Sequence, residues 1–254
     1  MGETIIKSKF RVQKHGEVFT PLKIVNEMLN IPGVKEACED LTTTFLEPAA
    51  GEGAFLVVIL ERKLNMIAEQ YNKDLVQYEN YALLALSTLY GIELLEDNSQ
   101  NCTMNMFQVF YDKYREQVAF HATKPVNKKV LDSAKVIIAS NITQGNFLTS
   151  LTPGDTPIIF SEWKAINLRK TTKNLKVART EYTMDEIYKA SKKNLGEMID
   201  NSQRFIATEQ LSLFDDSINF ENDAKEKFAM RYTLTKITDV YKEEMEEVDE
   251  GKIF

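Results

Sequence analysis

Phe45-Leu46-Glu47-Pro48-Ala49-Ala50-Gly51-Glu52-Gly53-Ala54-Phe55-Leu56 reads as an apolar strand that ends in an acid, then a glycine turn, then the start of an apolar helix. Gly51 and Gly53 allow positive φ and close approach of the backbone. The helix beginning near Ala54 turns unpaired N–H groups and the positive end of its dipole toward the turn, which suits a polar, nucleotide-type ligand. Such a unit belongs to folds that alternate strands and helices, so further strands and helices are expected on both sides of it.

Upstream, residues 21–30 and 33–40 read as helices ahead of a strand at 43–47. Downstream, a helix is expected from 54 to about 70, a second over Leu75 to Thr88 from its helical spacing of apolar residues, a strand at 89–93, and a helix over Asn98 to Tyr114. Strands are expected near 135–140 and 157–162, separated by the turn Thr152-Pro153-Gly154-Asp155. This alternation predicts an α/β fold with a parallel, Rossmann-like sheet and flanking helices. Residues 164–254 show no clear run of further buried strands. The expectation is therefore a truncated sheet over 1–163, followed by a partly extended segment over 164–254.

Composition frames this reading. With 254 residues, 43% of them apolar, the chain can bury one full core and carry appendages. Cys38 and Cys102 match no metal spacing and point to a reducing compartment without structural disulfides. His15 and His121 are too isolated in sequence to argue for a catalytic pair. No apolar run is long enough to cross a bilayer, and Met1 to Lys7 lacks the core of a signal peptide, so a cytoplasmic location without membrane partners is expected.

The net charge of −7 argues against nonspecific nucleic-acid binding over the whole surface. Residues 164–193 are nevertheless locally basic, with Trp163, Tyr182 and Tyr188 interleaved, a pattern that fits either a phosphate backbone or a solvated face. From Asp239 to Glu250 the sign reverses, and a frayed or disordered acidic tail is expected.

Over roughly residues 15 to 150 the chain resembles the adenine-N6 DNA methyltransferases of restriction-modification systems. His15-Gly16-Glu17-Val18-Phe19-Thr20-Pro21 is similar to the family's G-x-[FY]-[TS]-P segment, and Glu47-Pro48-Ala49-Ala50-Gly51-Glu52-Gly53 to its [DE]-P-A-x-G-x-G loop. Leu89-Tyr90-Gly91-Ile92-Glu93 is similar to its second strand. Val136-Ile137-Ile138-Ala139, running to Gln144-Gly145-Asn146-Phe147-Leu148, is similar to its third strand with the G-D-[FAS]-L end. The resemblance implies S-adenosylmethionine as cofactor, held by Phe19, Thr20, Glu47, Pro48, Ala49, Gly51, Gly53, Glu93, Leu94, Asn146 and Phe147.

The chemistry fits those residue types. A carboxylate at a strand end can accept hydrogen bonds from a ribose diol, which makes Glu93 the ribose candidate. The resemblance implies that Glu47 faces the cofactor's amino group and that Phe19 and Thr20 lie at its methionine end. At the place of Asn146 the family carries an acid that accepts from the adenine amino group. Asn keeps a carbonyl acceptor and adds a donor. Phe147 can supply an apolar face to a base or pack in the core.

The resemblance breaks at the family's catalytic [DNS]-P-P-[YFW] motif. The corresponding strand ends Ile158-Ile159-Phe160-Ser161-Glu162-Trp163, without Pro-Pro. Ser161 and Trp163 are the catalytic candidates, as polar holder and stacking surface for a flipped base; the competing reading makes Trp163 a strand anchor.

A separate signal lies at Glu209-Gln210-Leu211-Ser212-Leu213-Phe214-Asp215-Asp216. Gln210, Leu211, Ser212, Leu213 and Phe214 resemble the peptide by which bacterial polymerases and repair proteins dock on the replication sliding clamp, with Leu213 and Phe214 as anchors. Two functions remain open. One is an S-adenosylmethionine-dependent DNA adenine-N6 methyltransferase, or its modification subunit working with a specificity or second modification subunit. The other is a catalytically degenerate methyltransferase-like protein tethered to the clamp.

Overall fold

The computed structural model describes residues 6–122, 125–169, 172–199 and 230–248, and the fold is mixed α/β. Three helices, α1 (Lys9–His15), α2 (Leu22–Leu29) and α3 (Val34–Cys38), lead into strand β1 (Phe45–Glu47). Helices α4 (Ala54–Gln70) and α5 (Leu75–Leu86) carry the chain to β2 (Leu89–Glu93), and α6 (Glu96–Phe120) and α7 (Lys128–Asn141) carry it to β3 (Ile142–Gln144). The three strands form a parallel sheet in the order β1-β2-β3, with Phe45 opposite Leu89 and Gly91 opposite Ile142.

Burial explains the elements. In α4, Leu56, Ile59, Leu60, Lys63, Leu64 and Ile67 recur at helical spacing and are all buried. Asp74 caps α5 by accepting from the Gln77 N–H. Strand β2 is apolar almost throughout because both faces of the sheet are covered. Gly91 is required there by space: a Cβ would stand 2.9 Å from Leu56 Cδ1 and 3.1 Å from Ile142 Cδ1.

The strand expected at 135–140 is instead the second half of α7. Val130, Ala134, Ile137 and Ile138 form one buried stripe at helical spacing, and Asn127 caps the helix by accepting from Lys129 N–H. The third strand follows it as the three residues of β3.

The strand expected at 157–162 exists as β4 (Ile159–Ala165), but it lies outside the parallel sheet. It pairs antiparallel with β5 (Lys176–Thr183), Phe160 opposite Tyr182 and Trp163 opposite Arg179. After α8 (Met184–Tyr188) come β6 (Met230–Tyr232), β7 (Thr235–Lys236), a 3-10 helix at Ile237–Lys242 and β8 (Met245–Glu247). Ile158, Phe160, Met184 and Phe147 pack with Tyr90 and Ile92 of β2 in a small apolar cluster. The Tyr90 hydroxyl donates to Ser161 O at 3.0 Å, joining the two sheets.

Residues after 163 are thus part of the same core. The expected boundary at 163/164 falls inside β4, and Leu175, Val177, Ile237 and Val240 are buried in the main cluster with the residues of α4 and α5. The locally basic window contains the end of β4, all of β5 and α8, and two of its cations are engaged internally: Arg179 with Glu243 at 2.6 Å and Lys193 with Glu186 at 2.9 Å. The acidic segment after Asp239 is ordered as far as it is described, because Val240 is buried and β8 pairs with β6.

Candidate functional site

The glycine turn connects β1 to α4. Ala50 N–H donates to Ile92 O at 2.9 Å, which carries the chain across the end of β2, and Gly53 N–H donates to Ala50 O at 2.8 Å. Both glycines have positive φ, +55° at Gly51 and +88° at Gly53. They serve different ends. A Cβ on Gly51 would meet the Phe19 ring at 3.6 Å, in the open part of the site, whereas one on Gly53 would meet Cys102 Sγ at 2.8 Å, inside the packing of α4 on α6.

Two neighbouring cavities open at the carboxyl ends of the parallel strands. One, of about 400 Å³, is lined by Phe19, Pro48, Ala49, Gly51, Glu93, Leu94, Asn146 and Phe147, together with Glu17 and Asn98. The other, of about 790 Å³, is lined by Phe19, Thr20, Glu47, Ala49, Gly51 and the first residues of α4, Ala54 and Phe55. Val18, Phe19, Ala49 and Gly51 belong to both. The structure therefore brings four separate segments of sequence to one place. Gly53 alone of the expected binding residues lines neither cavity.

Glu93 is buried at the heart of the smaller cavity. Its Oε2 accepts from Gly51 N–H at 2.7 Å and its Oε1 from Leu95 N–H at 2.9 Å, with Asn98 Nδ2 at 3.4 Å. A carboxylate has about four acceptor positions, so Glu93 keeps capacity for a ligand hydroxyl while its orientation is fixed by the backbone. Glu47 is more exposed and accepts from Ala49 N–H at 3.3 Å.

A polar network built mostly of residues outside the motifs, Lys7, Arg11, Asp97 and Asn98, holds the segment 15–20 against this carboxylate. Asn98, almost fully buried, donates to Glu17 Oε1 at 2.7 Å and accepts at Oδ1 from Lys7 at 2.6 Å. Arg11 binds Glu17 through Nε and, at 2.6 Å, through Nη2, and reaches Asp97 at 2.8 Å. Burial pushes the Glu17 carboxyl up, but the bonds from Arg11 and Asn98 outweigh it and leave it below the usual range. The Arg11 and Lys7 bonds hold the Asp97 carboxyl well below its usual range. Lys7 also pairs with Glu52 of the glycine turn at 2.7 Å. These partners are separated by up to about ninety positions in sequence, and no local pattern announces them.

Ser161 and Trp163 line neither cavity. Both are buried on the face of β4 turned away from Phe160. Ser161 Oγ accepts from Arg179 Nε at 2.9 Å, and Trp163 Nε1 donates to Asn141 Oδ1 at 3.2 Å, with the Arg179 guanidinium over the indole at 5.1 Å. The expected base-holding pair is thus engaged in packing the hairpin on α7. The clamp-like peptide at Gln210–Phe214 lies outside the described residues.

Among the described residues, no helix is long and apolar enough to cross a membrane, and no group of three or more His, Cys, Asp and Glu side chains is arranged to hold a metal ion. Cys38 and Cys102 are buried free thiols, and burial pushes the Cys102 thiol up to about 12. In comparison with known proteins, no family model, no curated protein and no solved structure matches the chain.

Proposed function

We propose that the chain binds S-adenosylmethionine in the paired cavities at the strand ends, on a Rossmann-like methyltransferase sheet, and serves in DNA adenine-N6 methylation as a methyltransferase or its modification subunit. The observation that supports this best is the meeting of Phe19-Thr20, Glu47–Gly51, Glu93-Leu94 and Asn146-Phe147 around one opening at the carboxyl ends of parallel strands, where α/β sheets take their ligands.

The residues present suit the cofactor. Glu93 offers acceptor capacity to a ribose diol, Phe147 and Leu94 offer apolar surface to a base, and Gly51 keeps the wall beside Phe19 free of a side chain. Thr20 and Glu47 give the larger cavity a donor and a negative charge, which match a carboxylate and an ammonium at a methionine end. When bound, the cofactor supplies a sulfonium methyl group for transfer.

Titration calorimetry with S-adenosylmethionine tests the proposal. Binding that disappears in Gly51→Arg, which puts a long side chain beside Phe19 at a positive-φ position of the cavity wall, is the expected result. No binding at millimolar cofactor, or binding untouched by that substitution, overturns it.

One observation favours the second reading, a methyltransferase-like binding protein. Ser161 and Trp163 are already engaged with Arg179 and Asn141, so neither is free to hold a base. Transfer of labelled methyl groups to DNA by the chain alone would decide for the enzyme. Transfer only with an added subunit would make the chain a modification subunit, and no transfer in either case, with cofactor still bound, would favour the binding protein. Docking of Gln210–Phe214 on a bacterial sliding clamp is a separate part of this second proposal, tested by loss of clamp binding in the Leu213→Ala, Phe214→Ala double variant.

A further inference from the structure

Strand β1 is an edge of the parallel sheet, since its ladder runs to β2 alone. Phe45 N–H donates to Thr88 O at 2.9 Å on the β2 side. Successive residues of a strand turn their N–H and C=O to opposite sides, so those of Leu46 face outward. Among the described residues nothing pairs with them. The Leu46 side chain is 44% exposed, so the edge is open as well as unpaired.

A cavity of about 410 Å³ opens beside this edge and shares no residue with the two at the strand ends. Its walls are Thr44 to Leu46, Tyr90 of β2, Phe160, Glu162 and Tyr182 of the β4-β5 hairpin, and the end of α8. Leu46 stands opposite Tyr90 in register, so both side chains lie on the face of the sheet that Phe160 covers, its ring 5.4 Å from that of Tyr90 and edge to face. Phe160 stands opposite Tyr182, and Glu162, two residues along β4, lies on the same face. A residue added to the sheet opposite Leu46 would turn its side chain toward this cavity.

The cavity carries one uncompensated charge. Glu186 pairs with Lys193 at 2.9 Å and accepts from Thr183 N–H at 2.8 Å, and Lys193 Nζ lies over the Tyr182 ring at 5.5 Å. Glu162 is exposed, and among the described residues it has no hydrogen-bond or ion-pair partner. Burial first, and the Glu162 charge next, push the Tyr90 and Tyr182 phenols up. Aromatic rings beside an unpaired carboxylate suit a cation on an apolar stem, above all a guanidinium, which can stack and pair at once.

We propose that this edge and cavity form a docking groove for an extended segment of a partner protein, which adds a strand to β1 at Leu46 and inserts an arginine side chain among Tyr90, Tyr182 and Glu162. The proposal does not depend on cofactor binding.

The probe is an end-blocked pentapeptide of valine and threonine around a central arginine, labelled with fluorescein and titrated with the full-length chain by anisotropy. Saturable binding is expected, about fivefold tighter than that of the same peptide with a central glutamate, the upper range for an exposed ion pair. Glu162→Lys alters an exposed side chain and should leave the melting temperature unchanged, while it weakens the arginine peptide about fivefold and tightens the glutamate peptide. Two further copies, N-methylated on alternate amides so that each has one edge blocked, test the strand pairing. One is expected to bind and the other to fail. The proposal is overturned by no saturable binding of the arginine peptide at millimolar concentration, by equal binding of the arginine and glutamate peptides, by no effect of Glu162→Lys, or by identical behaviour of the two methylated copies. Titration of S-adenosylhomocysteine into the same samples reports on the cofactor reading separately.

Discussion

The backbone N–H of Gly51 donates to Oε2 of Glu93 across 2.7 Å, so the glycine turn and the end of β2 form one piece of wall. The other oxygen of the same carboxylate takes Leu95 N–H at 2.9 Å. Glu93→Gln must turn its NH₂ group against one of these two N–H groups. We expect it to lower stability by about 1–3 kcal/mol in urea unfolding, the range for a lost charged hydrogen bond and a stranded donor. Binding of S-adenosylhomocysteine should fall in parallel. Full stability in this variant would show that the tie does not hold the turn.

Gly53 and Cys102 form a second testable pair. Gly53→Ala meets two costs, a positive φ and a contact of 2.8 Å with Cys102 Sγ. The backbone part alone is on the order of 1–3 kcal/mol. Cys102→Ala removes the sulfur, so a double-mutant cycle should recover the contact part and leave the backbone part. Strict additivity of the two substitutions would rule out the proposed contact.

Lys63 makes stability depend on pH. It is fully buried, donates to Asp40 O at 2.6 Å and Thr43 O at 2.9 Å, and burial pulls its ammonium from 10.5 down to about 8. Between those values the unfolded chain holds a proton that the folded chain releases. Stability therefore rises with pH across that window, by up to about 1.4 kcal/mol per pH unit from this group, and the cost of charging it is complete below about 8. Tyr78, pushed up by burial, opposes the trend once free phenols begin to ionise near pH 10. Urea midpoints from pH 7 to 10 should show the rise in the wild type and a flatter profile in Lys63→Met.

Arg179 joins Ser161 Oγ and Ser140 Oγ, each at 2.9 Å, pairs with Glu243 at 2.6 Å, and lies over the rings of Trp163 and Tyr232. Arg179→Ala takes the cation away from the buried Glu181, which keeps its bonds from Ile199 N–H and the Tyr232 hydroxyl, and leaves Ser161 Oγ without its donor, and a loss of about 1–3 kcal/mol is expected. Trp163→Ala should cost about 3–5 kcal/mol through its cavity. If Trp163→Ala instead keeps its melting temperature and loses only methyl transfer, a stacking role would be restored to it.

The parts of this fold legible in the sequence were those set by local period and local turn chemistry. The strand at 45–47, the glycine turn, the long amphipathic α4 and the apolar β2 announce themselves within a dozen residues. The run Val136-Ile137-Ile138-Ala139 does not, because a short apolar run suits a buried helix as well as a buried strand. Its helical stripe becomes visible only with Val130 and Ala134 included. The pairing of β4 with β5 depends on tertiary partners, and a strand reading of 157–162 carries no sign of direction. At the site, the motif residues could be named from sequence. Arg11 and Asn98, and the bonds they make to Glu17 of the motif segment, could not, since their meeting is a product of the fold.

Helix α1 buries none of its residues, and its hold on the site runs through Arg11, Glu17, Asp97 and Lys7. Apolar burial is not weakened by added salt, whereas partly exposed charge pairs weaken as the screening length shortens. The wall formed by residues 15–20 therefore has a grip set by ionic strength, while the sheet behind it does not. A ligand of no net charge should consequently bind this site less tightly in high salt, through the protein's own charges alone.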